Sequence, residues 1–248
     1  MTWSLIARHA DGRIGVAIAS RFFAVGALCL HTRGGVGALC TQALMNPEYG
    51  AQGLALLAAG GSAVDVVRLL TEADDGRDQR QLHLLPVRGT GAVYTGAHCV
   101  DWCGHQLHDG FSVAGNMLAN SDVLDATVAA FRTSTDDGRP MAECLLAALR
   151  AGDAAGGDKR GRQSAALRVQ GPESYPELDL RVDDHEQPFD ELQRLLSKSL
   201  ERFQPFVACL ARRGHSAGEL DRAELEKRID EWTAARALAG GARSGRTP

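Results

Sequence analysis

Helical segments in this chain arrive in consecutive pairs set between groups of strands, and that order limits the fold more than any other feature. Strands and helices in single alternation would build a doubly wound parallel sheet. Here residues 2–10 and 13–21 read as a hairpin about Asp11-Gly12, and residues 27–33 and 36–43 as a second about Gly34-Gly35. A helix pair follows. Residues 48–60 carry Leu54, Leu56 and Leu57 and stop at Gly60-Gly61, and Ser62 with Asp65 makes a capping-box-like start for the next helix. Strands return at 80–87 and 90–97, with extended pieces expected at Cys99–Trp102 and Phe111–Ala114. Residues 120–134 and 140–152 form the second helix pair, the latter with Pro140 in its first turn, and strands 163–170 and 177–183 close the compact part. The expected fold class is α+β, with two antiparallel sheets face to face and a helix pair on each outer side, a four-layer αββα sandwich.

Strand two supports sheets covered on both faces. Ile14, Val16 and Ile18 alternate with Gly15, Ala17 and Ala19, giving one bulky and one small face. From residue 186 the composition changes. Phe189, Leu192, Leu195, Leu196, Leu200 and Phe203 share one helical face, Pro205 is expected to break that helix, and Ser216 with Glu219 to cap a last one through Leu220, Leu225, Ile229 and Trp232. The end, AGGARSGRTP, reads as disordered. The expected organisation is a domain over 1–185 and a helical extension over 186–248 that mediates dimer contacts.

The formal net charge of -4 offers no footprint for nucleic acid or an anionic membrane surface, and no apolar run could cross a bilayer. No secretory signal is visible, and six scattered cysteines read as reduced, mostly buried thiols of a cytoplasmic protein.

The alternation begins hard against Met1, with Thr2, Ser4, Ile6 and Arg8 on one face and Trp3, Leu5, Ala7 and His9 on the other. Met1 is of the kind removed before a small residue, which would leave Thr2 with a free α-amine. A threonine hydroxyl is a poor nucleophile without an adjacent base, and that amine can be the base. Many chains begin Met-Thr without any such role; a strand immediately behind the residue supplies the rigidity a nucleophile needs. A two-residue Asp11-Gly12 loop places Thr2 opposite Arg21 with Ser20 beside it, and a one-residue slip exchanges the two, so the pair Ser20-Arg21 is expected near the N-terminus.

A second constellation lies in GGDKRGRQSAALRV and YPELDLRVDDH, where Asp179, Arg181 and Asp183 alternate with Leu178, Leu180 and Val182. On a covered sheet these charges must pair, and Asp158, Lys159, Arg160 and Arg162 are natural partners. The cluster reads equally as a structural brace or as a clamp for a substrate carboxylate, with a cation that lowers the Thr2 amine pKa. Gln163 and Ser164 could hydrogen-bond that amine. Gly115-Asn116 at a strand end offers oxyanion-hole materials, though a turn glycine and a capping asparagine explain it as well. His98, Cys99, Cys103, His105 and His108 invite a zinc reading, but their spacing matches no common zinc pattern, so no metal site and no cofactor are expected. RGGVGA and AAGGDKRG lack both phosphate-loop and dinucleotide spacing.

Taken in order, MTWSLIAR, GVAIASRFFAVGA, GVGALCTQALMNPEYG, GRDQRQL, GNML, GGDKRGRQSAAL and YPELDLRVDDH resemble a bacterial and archaeal family of unknown function, numbered one thousand and twenty-eight. The resemblance covers roughly residues 2–185. That family is placed among Ntn-hydrolase-like folds, which implies the αββα sandwich and an N-terminal nucleophile, here Thr2. By position in its blocks the resemblance implies a pocket lined by Ser20, Arg21, Gln42, Asn46, Asp78, Arg80, Asn116, Asp158, Arg160 and Gln163.

These observations combine into one expectation. Thr2, Asn116 and Ser164 form the catalytic set of an amidohydrolase acting on a small amide, peptide-like or ureido bond. The remaining pocket residues, with Lys159 and Arg162, bind a small substrate bearing a carboxylate. The protein is expected as a homo-oligomer without nucleic-acid or membrane partners. The competing expectations are a non-catalytic binding or assembly module and a metal-dependent hydrolase built on the His98–His108 cluster.

Overall fold

The structure is a computed structural model that describes residues 2–244, with side chains described for 2–236. Met1, on whose removal the nucleophile expectation depends, and residues 245–248 of the expected disordered tail lie outside the described residues. The chain divides into two compact units, residues 1–193 and 194–248.

The first unit is mixed α+β with two antiparallel sheets. In chain order it contains β1 (Thr2–Arg8), β2 (Ile14–Ser20), α1 (Val25–Leu28), β3 (Leu30–Arg33), β4 (Gly37–Ala43), α2 (Glu48–Ala58), α3 (Ala63–Glu72), β5 (Arg80–Pro86) and β6 (Ala92–Thr95). There follow β7 (Gly104–His108), β8 (Phe111–Asn116), α4 (Asp122–Asp136), α5 (Met141–Ala154), β9 (Ser164–Gln170) and β10 (Leu178–Val182), and α6 (Pro188–Ser199) starts within this unit. One sheet has six strands in the order β10-β9-β2-β1-β8-β7, and the other four in the order β3-β4-β5-β6.

Each sheet face has an identifiable cover. Helix α5 packs on β2 and β9 and α4 on β8, while α2 packs on β3 and β4 and α3 on β5 and β6. The small face of β2 meets α5: a Cβ on Gly15 would sit 2.5 Å from Met141 Sδ. Its bulky face, Ile14, Val16 and Ile18, joins Ile6, Ala38, Cys40 and Leu85 in a core between the two sheets. A separate core of Leu39, Leu82, Leu84, Val66 and Leu70 lies between the four-stranded sheet and α2–α3. Ser62 caps α3 as expected, accepting from the Asp65 N–H at 3.1 Å.

The first hairpin takes the slipped register. Thr2 pairs with Ser20 and Arg8 with Ile14. Gly12 has φ 89 while Asp11 is not in the left-handed region, so the loop is not the two-residue turn that needs positive φ at both central positions. His9 N–H bonds to the Arg13 carbonyl at 2.8 Å, leaving a three-residue loop with glycine at its left-handed position. Arg33 pairs with Gly37, so the second hairpin also has a three-residue loop, here with left-handed Gly35 (φ 71) in its middle. Cys99–Trp102 is not a strand; the edge strand begins at Gly104 instead. Residues 27 and 28 of the expected second hairpin are helical rather than extended, as the end of α1.

Phe189 and Leu192 are buried within the first unit, the Phe189 ring centroid 6.0 Å from that of Trp3. In the second unit, Pro205 does not break a helix. It sits in the first turn of α7 (Phe203–Val207), where the missing N–H costs nothing. The last helix, α8 (Arg222–Ser244), starts after Leu220, which is exposed, because Asp221 rather than Ser216 caps it, accepting from Ala223 N–H at 2.8 Å. It runs through Ser244 into the tail expected to be disordered. Among the described residues no helix is long and apolar enough to cross a membrane.

Candidate functional site

Because the registers of β8, β1, β2 and β9 align, Asn116, Thr2, Ser20 and Ser164 lie side by side in one row across the six-stranded sheet. Thr2 is buried, and its Oγ1 donates to Ser20 Oγ at 3.1 Å. The row ends the space between the sheets. Where Ile6, Val16 and Leu85 meet, that space is apolar; towards Thr2 it is filled by buried polar side chains.

Those side chains form a hydrogen-bond chain whose direction is fixed throughout. Gln81 Nε2 faces the Gly115 carbonyl at 2.8 Å and the Gly104 carbonyl at 3.0 Å, which can only accept. Its Oε1 therefore accepts from Gln42 Nε2 at 2.8 Å and from Asn116 Nδ2 at 3.0 Å. Gln42 Oε1 in turn accepts from Ser4 Oγ at 2.7 Å, and Gln42 Nε2 also approaches the Thr2 carbonyl at 3.5 Å. With its proton committed, Ser4 Oγ must accept from His83 Nε2 at 2.8 Å, so His83 Nδ1 accepts from Ser112 Oγ at 2.8 Å. Complete burial, with a further push from His105, lowers the His83 pKa to about 3, consistent with a neutral ring. Thr95 Oγ1, 2.9 Å from Gln81 Nε2 at the outer end, is a third acceptor sharing its two hydrogens.

On the β2–β9 side, a buried carboxylate arranges two cations. Asp158 accepts from the backbone N–H groups of Arg21 and Arg160, each at 2.8 Å, and pairs with Arg160 Nη2 at 3.2 Å. Arg21 Nη1 reaches back to the Arg160 carbonyl at 2.9 Å. Arg21 and Arg160 are thus held beside Ser20, the next residue from Thr2 in the row.

Several expected residues go elsewhere. Ser164 Oγ donates to the Phe22 carbonyl at 2.5 Å and accepts from Val25 N–H at 3.1 Å, so its hydroxyl fixes the loop after β2. Gln163 sends its side-chain amide to Asp184 at 3.0 Å, while its backbone N–H bonds to the Ser20 carbonyl at 3.1 Å. Arg162 pairs with Asp153 at 2.6 Å, and Lys159 Nζ donates to the Asp101 carbonyl at 2.8 Å. Arg21, Arg162 and Gln163 share a surface recess of about 430 Å³ with Asp184, His185 and Glu186. Asn46 and Arg80 converge on Asp74, at 3.3 and 3.0 Å, rather than on Thr2. Burial raises the Asp74 carboxyl, but Arg80, Tyr49, the Gly76 N–H and Asn46 together hold it well below the usual carboxylate range. Asp78 lies in a single 3-10 turn, Arg77–Gln79, where its carbonyl accepts from His98 N–H at 2.8 Å.

The cysteine-histidine stretch is dispersed in the same way. His105 Nδ1 bonds to Thr95 Oγ1 at 2.8 Å, His108 Nε2 to Gln106 at 3.1 Å, and Cys99 Sγ to the Arg80 carbonyl at 3.2 Å. Among the described residues no three histidine, cysteine or acidic side chains are grouped to hold a metal ion.

Ser4, Gln81, His83, Ser112 and Thr95 are the site residues that sequence reasoning missed. The available signal was a polar residue at alternate positions of otherwise apolar strands, Gln81 and His83 in RQLHLLP above all. Period-two burial assigns such residues to an internal face, but only the pairing of β5 with β4 and its stacking on β8 brings them to Thr2.

The family described as a family of unknown function, DUF1028, matches residues 2–192. The chain belongs to this family. Its DUF1028 domain is similar to the crystal structure of protein SPO2555 from Silicibacter pomeroyi, a member of the same family. The two are 30% identical with a TM-score of 0.81, over 89% of this chain and 96% of that one. A much weaker likeness, TM-score 0.36 and 14% identity over 80% of this chain and 94% of the other, is to Anbu, an ancestral beta-subunit from Yersinia bercovieri. No curated protein matches the chain. The Asn116–Thr2–Ser20 row and the Asp158-held arginines all lie inside the matched DUF1028 segment.

Proposed function

We propose that this DUF1028 protein is an N-terminal-nucleophile amidohydrolase on a four-layer αββα sandwich of the Ntn-hydrolase kind. It would cleave a small amide, peptide-like or ureido bond once removal of Met1 exposes the Thr2 amine. The observation that carries this reading is the contact of Thr2 Oγ1 with Ser20 Oγ at 3.1 Å, in a row that also contains Asn116.

Thr2 Oγ1 attacks the carbonyl carbon while the α-amine of the same residue accepts its proton. An α-amine titrates at roughly 7.7–8.0, so a nearby cation such as Arg21 or Arg160 brings it into the range of a general base. Asn116 Nδ2 has two hydrogens; one is held by Gln81 Oε1, and the other is available to the developing oxyanion. Collapse breaks the C–N bond, and the ammonium returns its proton to the leaving nitrogen. Water, deprotonated by the same amine, then releases the acyl group and regenerates the hydroxyl. Arg21 and Arg160, fixed by Asp158, suit a carboxylate on the substrate.

Two measurements test the reading. The intact mass of the untagged protein is expected to lack Met1; a mass that includes it removes the nucleophile mechanism and leaves a non-catalytic binding module. A screen of N-acyl and N-carbamoyl amino acids and short peptides is expected to find a substrate whose turnover Thr2→Ala abolishes. Wild-type turnover by that variant would refute the assignment.

A further inference from the structure

A cavity of about 280 Å³ opens on the β8 side of the Thr2 row, lined by Ala43, Leu44, Gln79, His98, Cys99, Val100, Asn116 and Met117. Most of that lining is apolar. Its polar members are Gln79 and His98, together with the site residue Asn116. Leu44 and Val100 are 64% and 52% exposed, an arrangement that leaves two aliphatic side chains facing water at a cavity mouth.

The backbone around it is unusual. Ala43, the last residue of β4, and Met117, the residue after β8, have φ of 68 and 52, a region that non-glycine residues seldom occupy. Each turns its chain outward, so that Leu44 N–H bonds to the Gln79 carbonyl at 3.1 Å and Met117 N–H to the Val100 carbonyl at 2.8 Å. The two bonds tie lining residues together in pairs, Leu44 to Gln79 and Met117 to Val100. Left-handed residues of this kind are kept where the surroundings over-determine them, and they cluster at ligand sites.

Position then bears on what the cavity takes. Adjacent strands lie roughly 4.8 Å apart, so the two strand steps from Asn116 through Thr2 to Ser20 span about 10 Å. The apolar cavity is at the Asn116 end and the arginines held by Asp158 are at the Ser20 end, with Thr2 between. At roughly 3.3 Å per extended residue, that span suits a molecule of two or three residues' length. A volume below the range of roughly 300–1,000 Å³ usual for extended ligands suits one short side chain or acyl group.

We propose that this cavity is an aliphatic acyl subsite, and that the substrate class is N-acyl amino acids with a branched aliphatic acyl group and a free carboxylate. The acyl chain enters between Leu44, Val100 and Met117, the scissile carbonyl meets Thr2 beside Asn116, and the carboxylate meets Arg21 and Arg160. This assignment rests on the amidohydrolase reading for the position of the bond, but not for the binding itself.

The test is binding to the full-length chain carrying Thr2→Ala, which prevents turnover of the probes. 4-Methylpentanoylglycine is expected to bind roughly tenfold or more tightly than acetylglycine, from burial of the added hydrocarbon. Val100→Asp, at an exposed mouth position, is expected to erase that preference, bringing the ratio of the two affinities close to one; Leu44→Asp serves the same purpose should the first variant fold poorly. Amidating the glycine carboxylate of the probe is expected to weaken binding to the unsubstituted cavity by a similar factor. Equal binding of the two acyl probes, no binding of either, or a preference that survives both variants overturns the subsite. The same preference, lost in both variants, together with an unsubstituted chain that retains Met1 or hydrolyses neither probe, leaves the subsite standing and removes the hydrolase reading instead.

Discussion

Asn116 donates from Nδ2 to Gln81 Oε1 at 3.0 Å, although the two residues belong to different sheets. The residue beside Thr2 is therefore oriented by the sheet opposite, and Gln81 is itself oriented by two backbone carbonyls. Gln81→Leu would leave the buried amides of Gln42 and Asn116 without this acceptor. At about 1–3 kcal/mol for each unsatisfied buried group, partly relieved by relaxation, a loss of about 3 kcal/mol is expected. Urea denaturation of this variant beside Thr95→Val, which removes one partner and should cost about 1 kcal/mol, checks it.

His83 gives the stability of the domain a pH dependence of known sign. Its folded pKa is about 3, below the unfolded value of about 6.5, so the unfolded state binds the extra proton. The contribution is complete above the unfolded value and is lost as pH falls towards the folded one, by about 1.4 kcal/mol per pH unit in that window. Denaturation midpoints at pH 7 and pH 5 should differ accordingly. His83→Gln, less stable at pH 7, should show a flatter dependence. Imidazole ¹⁵N spectra at pH 5 should show a neutral ring protonated at Nε2.

Asp158 has a fully buried side chain that accepts from the backbone N–H groups of Arg21 and Arg160. Asp158→Asn keeps the shape but leaves one oxygen to serve two amides and places an NH₂ where the other must accept. A loss of about 2 kcal/mol is expected by thermal or urea denaturation, together with weaker binding of carboxylate probes because both arginines lose their anchor. Unchanged probe affinity would separate Asp158 from the binding role.

Ala43→Gly should reverse the usual effect of that substitution. At φ 68 an alanine is strained, and glycine is not. The relief of about 1–2 kcal/mol outweighs the extra unfolded-state entropy of about 0.5–1 kcal/mol, so this variant should be slightly more stable. Ala55→Gly, inside α2, should instead lose about 1 kcal/mol. Midpoints of the two variants against the parent check the difference.

Much of the strand and helix order was legible because it rests on local chemistry. Ser62 and Asp65 cap a helix through contacts three residues apart, and the alternation of Ile14, Val16 and Ile18 with Gly15, Ala17 and Ala19 reports two different covers directly. The hairpin register was not, since Asp11-Gly12 suits a two-residue and a three-residue loop alike, and only the pairing of Thr2 with Ser20 selects between them. The destinations of charged side chains were least legible. Asn46 and Arg80 meet at Asp74, and Arg162 at Asp153, because long polar side chains take the nearest partner that folding presents.

By itself, then, the sequence determined that Thr2 heads a rigid strand, that Ser20-Arg21 returns beside it, and that polar residues sit on faces that must be covered. These follow from periods and spacings carried within a few residues. Tertiary structure alone decided that Gln81 and His83 of one sheet meet Asn116 and Ser4 of the other. It also decided that left-handed Ala43, at the end of β4, and Met117, just after β8, frame an apolar cavity next to them. Sheet stacking joins residues far apart in the chain, and the partner that satisfies a buried amide is set by that stacking, not by its neighbours in sequence.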